Sequence, residues 1–221
     1  MIPLGDASRR PLRFPLATVL VIAVNFLVFF FELAGGDAFI NRWSLVPANI
    51  VAGQDWITIL TSMFMHAGWV HILGNMLFLW VFGPAIEDVM GSWRYLFFYL
   101  LGGLAATAAQ VLIDPTSTVP NLGASGAIAA VMGGFLITYP RDRIRTLLLL
   151  GWFIRVTFLP AIVLVGLWFL IQLVSQVGAL ASTQQGGVAY MAHIGGFLFG
   201  MLTVRLFEVG ERVDQQKWLG Q

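Results

Sequence analysis

The stretch WITILTSMFMHA, residues 56–67, decides how many times this chain crosses a membrane. It is apolar, but its twelve residues would reach only about 18 Å as a helix, against a bilayer core of roughly 30 Å. Pro47, Gly53 and Asp55 precede it, so it reads as an interfacial or re-entrant segment. Six other segments are long enough to span, or nearly so: 16–33, 69–86, 93–113, 125–139, 156–177 and 188–207. With these six crossings and a cytoplasmic N-terminus, eleven of the twelve Lys and Arg fall on the cytoplasmic side, and Arg42 alone falls outside. A seventh crossing at 56–67 would place Arg94, Arg141, Arg143 and Arg145 opposite Arg9, Arg10 and Arg13, against the positive-inside rule. The expected fold is therefore an all-α polytopic membrane protein, a six-helix bundle with a partly embedded loop between the first two helices and both termini in the cytoplasm.

Composition agrees with that count. Of 221 residues, 58% are hydrophobic and 10% charged, with a mean hydropathy of +0.84. A soluble domain carries about 25% charged residues, and so few charges cannot cover a solvated surface. The net charge of +1 leaves no basic excess for nucleic acid. The absence of cysteine removes disulfides, thiolate metal sites and cysteine nucleophiles, so covalent chemistry falls to Ser, Thr, Lys or a carboxylate. The first apolar run exceeds the ~7–15 residues of a signal-peptide core and has Glu32 near its end, so it is read as a retained span. One membrane domain over 1–221 is expected, with short tails at about 1–15 and 208–221.

The fourth span is short. Its 15 residues before Pro140 cover about 22 Å, which places Ser125 below the outer surface. The loop before it, IDPTSTVPNLGA at 113–124, is irregular backbone that is tolerated at such depth only against protein or water. A water-filled cavity opening outward follows. Polar residues inside spans are costly and invite a functional reading. Three groups stand out: His71 and Asn75 in HILGN, one turn apart on one face; Ser125 in GASGA; and His193 in AHIGG. Taken singly, Ser125 reads as a helix cap or a small packing residue, and His193 as an interhelical hydrogen-bonder. Together they place a nucleophile, a base and two donors at one depth. Gly123 and Gly126 clear space for backbone approach and leave N–H groups free beside Ser125. Gly196 and Gly200 share the face of His193, where they allow close packing on the fourth span, while Gly195 is expected to point away. His66, His71 and His193 are the only histidines and form no zinc pattern; no metal or cofactor is expected. Glu87 and Asp88 belong to the cytoplasmic end. The GxSxG elbow of soluble hydrolases is missing, because position 127 is Ala.

HILGN, GASGA and AHIGG, in this order on the second, fourth and sixth spans, resemble the rhomboid intramembrane serine proteases in their six-helix bacterial form. Glu87-x-x-x-Gly91 and TSMFMHAGWVH at 61–71 resemble them too. The resemblance implies a catalytic dyad of Ser125 as nucleophile and His193 as general base. It implies an oxyanion site from His71, Asn75 and the Ser125 backbone N–H, with structural support from Gly123, Gly126, Gly196 and Gly200. It further implies partners that are single-span or other transmembrane substrates within the lipid bilayer, a bacterial inner membrane as location, and no nucleic acid. The chain departs from the family at two places. Ile57-Thr58 stand where members often have Trp-Arg. Ala129 stands where an aromatic ring often stacks on the catalytic histidine, which leaves Tyr190, Met191 or a water to orient His193. Two other classes compete. A non-catalytic rhomboid-like binder of membrane helices would lack the Ser or the His, and a small transporter would show inverted repeats and a carboxylate relay.

Overall fold

A computed structural model describes residues 1–150, 152–181 and 189–219. Five of its helices are long and apolar enough to cross a membrane: α1 (Leu16–Trp43), α4 (Trp69–Met90), α5 (Ser92–Ile113), α7 (Ala161–Ala181) and α8 (Tyr190–Phe207). The shorter apolar α6 (Ser125–Thr138) lies among them. The protein is an integral, multi-pass membrane bundle. Residues 56–67 do not span: they form a single turn, α3 (Thr58–Thr61), followed by a 3-10 turn (Ser62–Phe64). Before them, α2 (Pro47–Val51) caps a sharp bend.

α6 is the axis of the molecule. Every residue from Gly126 to Phe135 is buried, as expected of a helix that is apolar on all faces. Its small residues let neighbours approach to backbone distance. A Cβ at Gly196 would collide with the carbonyl oxygen of Gly126, one at Gly200 with that of Ala130, and one at Gly133 with that of Phe197. α6 and α8 therefore touch main chain to main chain. Gly195 points away from α6, as expected, but it is not spare: it packs on α5, where a Cβ would collide with that of Ala109. Adjacent glycines thus serve two different interfaces.

At the far end of α6 the chain forms a small antiparallel sheet of β1 (Ile2–Asp6), β2 (Arg143–Leu150) and β3 (Phe153–Pro160), in that order. The sequence reading contained no sheet. It began the fifth span at Val156, but residues 156–160 finish β3, and α7 begins only after Pro160. Both segments read as tails are ordered against the bundle, as β1 and as α9 (Gly210–Leu219). Val188, where the sixth span was expected to begin, lies outside the described residues. α1 runs on to Trp43 through a break at Gly36, whose φ of 55° suits only glycine.

Glu87 and Asp88 are buried at the sheet end of α4. Glu87 accepts from the N–H groups of Ala17 and Thr18 and the Thr18 hydroxyl, each at 2.8 Å, and from the Ser92 hydroxyl at 2.6 Å. It satisfies the free donors in the first turn of α1 and ties three helices together. Arg9 pairs with Asp142 and lies 3.9 Å above the Tyr139 ring, which holds the sheet beneath α6.

Candidate active site

Ser125 is the first residue of α6, with Ala124 in the N-cap position, so its hydroxyl is not a cap. Its Oγ instead lies 2.7 Å from Nε2 of His193. His193, the fourth residue of α8, is 8% exposed and reaches Ser125 because Gly196 and Gly200 bring the two helices into backbone contact. The other ring nitrogen, Nδ1, is 2.7 Å from Oε1 of Gln172 on α7. The amide nitrogen of Gln172 donates to the Trp168 carbonyl at 3.4 Å, and the Trp168 ring lies beside the imidazole at 5.8 Å between centroids, tilted by 37°. His193 is therefore held from α7. Ala129 faces the packed core, and the expected roles of Tyr190 and Met191 fall to Gln172 and Trp168. Sequence reasoning passed over both, although a signal was present: Gln172 is a polar residue deep in an apolar run, one turn from Trp168.

His71 enters from the first turn of α4. Its Nδ1 accepts from the Ala67 N–H at 3.3 Å, which leaves the proton on Nε2. A Cβ at Gly123 would lie 3.1 Å from that Nε2 and 3.5 Å from the Ser125 Oγ, so Gly123 is the gap across which His71 faces the Ser125 hydroxyl. Its φ of 139° independently favours glycine. Asn75, one turn along α4, has a buried Nδ2 with no hydrogen-bond partner among the described residues, an unspent donor. His66 packs edge-on against His71 at 5.0 Å, and its backbone N–H donates to both oxygens of Glu32 at 3.0 Å. An open cleft of about 50 Å³ adjoins Ser125, lined by Met63, Gln110, Asn121, Gly126 and Ala192. The loop residue Asn121 pairs with Leu45 through two backbone bonds, and Gly123 N–H donates to the Ser62 carbonyl at 2.9 Å, so residues 56–67 and 113–124 are laced together over the cleft.

The family model of the Rhomboid domain matches residues 53–208, a span that holds Ser125, His193, His71, Asn75 and Gln172. The chain belongs to the rhomboid family. This rhomboid is 36% identical over 128 residues to Rhomboid protease GluP of Bacillus subtilis, covering 55% of the chain and 24% of that protein. It is 30% identical over 160 residues to Rhomboid-like protein 11, chloroplastic, of Arabidopsis thaliana, covering 68% of the chain and 52% of that protein. It is 26% identical over 188 residues to Rhomboid protein 1, mitochondrial, of Saccharomyces cerevisiae, covering 82% and 50%. The chain thus spans between about a quarter and a half of the length of these relatives.

Proposed function

We propose that this rhomboid is an intramembrane serine endopeptidase that hydrolyses peptide bonds in or near transmembrane segments of other membrane proteins. The observation that carries the reading is the 2.7 Å contact between Ser125 Oγ and His193 Nε2, beside an open cleft that Ser125 helps to line. In the first step Oγ attacks the scissile carbonyl and Nε2 takes its proton. Negative charge collecting on the carbonyl oxygen is held by the Ser125 backbone N–H, by Nε2–H of His71 and by the Asn75 amide. The first of these is free because the opening turn of a helix leaves its N–H groups unpaired. His193 then protonates the departing amine, and an ester remains on Ser125. Water, activated by the same imidazole, hydrolyses it and restores the hydroxyl.

A substrate helix must unwind locally before attack, because its carbonyls are engaged and its backbone is covered. Single-span proteins of the same bilayer, bent into the cleft under residues 56–67, fit that requirement. By the distribution of arginines the cleft opens outward and both termini lie in the cytoplasm. The resemblance to the six-helix bacterial form implies a bacterial inner membrane as the location.

The test is labelling by a fluorophosphonate in native membranes, with cleavage of a helical membrane substrate in parallel. Wild type is expected to label and cleave. Ser125→Ala and His193→Ala are expected to be inserted and folded but inert, and the double variant no worse than either single one, because the two groups act as a unit. A folded wild type that neither labels nor cleaves would instead mark a binder of membrane helices.

A further inference from the structure

We propose that Gln172 is the positioning residue for the base: its amide oxygen fixes His193 with the proton on Nδ1 and leaves Nε2 free to receive the proton of Ser125. This rests on the protease reading above for its purpose, although not for its geometry.

The two ends of an amide look alike in shape but not in chemistry, and the surroundings of Gln172 settle which end faces His193. The Nε2 of Gln172 donates to the Trp168 carbonyl one turn back, so Oε1 is the atom left at 2.7 Å from His193 Nδ1. An amide oxygen only accepts. Nδ1 must therefore carry the hydrogen, and because a neutral imidazole has one, Nε2 has the lone pair. That lone pair faces Ser125 Oγ at 2.7 Å. The opposite tautomer would set two acceptors against each other in a buried site and present an N–H to the hydroxyl, which could then not be deprotonated.

Burial strengthens the argument. Gln172 is 7% exposed, and beyond Phe169 it is the one buried side chain among the described residues of α7. The rest of that half of the helix presents Leu170, Ile171, Leu173, Val174 and Val177 outward. A polar residue is thus aimed inward where its apolar neighbours Leu170, Ile171, Leu173 and Val174 point outward, the reverse of what packing alone would select. Trp168, on the same face, borders the imidazole and limits its tilt. A neutral amide also orients the ring without placing a second charge in a water-poor site, as a carboxylate would.

Gln172→Met keeps length and volume but deletes the acceptor, whereas Gln172→Glu keeps an acceptor oxygen. In matched vesicles Gln172→Met is expected to lower kcat about 10²-fold, the scale of a base misplaced by about an ångström, with KM within about twofold. Gln172→Glu is expected to recover most of that loss, which a packing role would not predict. Because the chain has three histidines, 15N-histidine labelling resolves His193 directly. Wild type should show the Nδ1–H tautomer, and Gln172→Met a mixture. A wild-type His193 protonated on Nε2 overturns the proposal whether or not any variant folds, and so does a Gln172→Met enzyme with unchanged kcat. If the wild type proves inert to substrate and fluorophosphonate, the protease reading fails while the tautomer measurement still tests the Gln172 bond. A normal wild type beside a normal Gln172→Met sinks this proposal alone.

Discussion

Asn75 carries a buried amide nitrogen with no hydrogen-bond partner among the described residues. Such a donor is costly to keep unless something occupies it during turnover. Asn75→Ala is expected to lower kcat by roughly 10²–10³ while leaving KM nearly unchanged, the effect of losing one oxyanion donor. Steady-state kinetics on a membrane substrate checks this, and an unchanged kcat would return Asn75 to packing. Ser125, His193, His71 and Asn75 were readable from sequence because polar groups inside apolar runs are few and these lie near the ends of their helices. Gln172 lies mid-helix on α7, and its approach to His193 depends on how α7 packs against α8, which no local pattern encodes.

Among elements, the α6–α8 contact sets how near His193 comes to Ser125. Gly200→Ala would drive a methyl into the Ala130 backbone, and Gly195→Ala would drive one into Ala109 of α5. Each is expected to cost about 1–3 kcal/mol through overpacking, read as a lowered thermal midpoint in detergent. Gly166→Ala in α7 meets no atom within 4 Å and should be neutral or slightly stabilising. Equal midpoints for all three would contradict the close contact of these helices. The helices were legible from apolar run length, and the brevity of α6 from Pro140. The hairpin of β2 and β3 was not, because its leucines and β-branched residues abut the apolar run of α7, and composition does not separate a strand from the start of a span.

For the molecule as a whole, orientation is the open arrangement with the sharpest test. The chain has no cysteine, so single cysteines report cleanly. Arg143→Cys, at the start of β2, should label only from the cytoplasm, and Asp114→Cys, beyond α5, only from outside; outside labelling at position 143 would overturn the orientation.

α7 is the least enclosed of the long helices, with 22% of its apolar window buried against 50% for α4. Local opening begins where the fewest apolar contacts must be surrendered, so a loosening bundle gives up α7 first. Gln172 lies on α7, so on the proposed reading the first helix to loosen also carries away the acceptor that orients His193. Activity would then be confined to the closed fold, and the same contact would serve as a fail-safe.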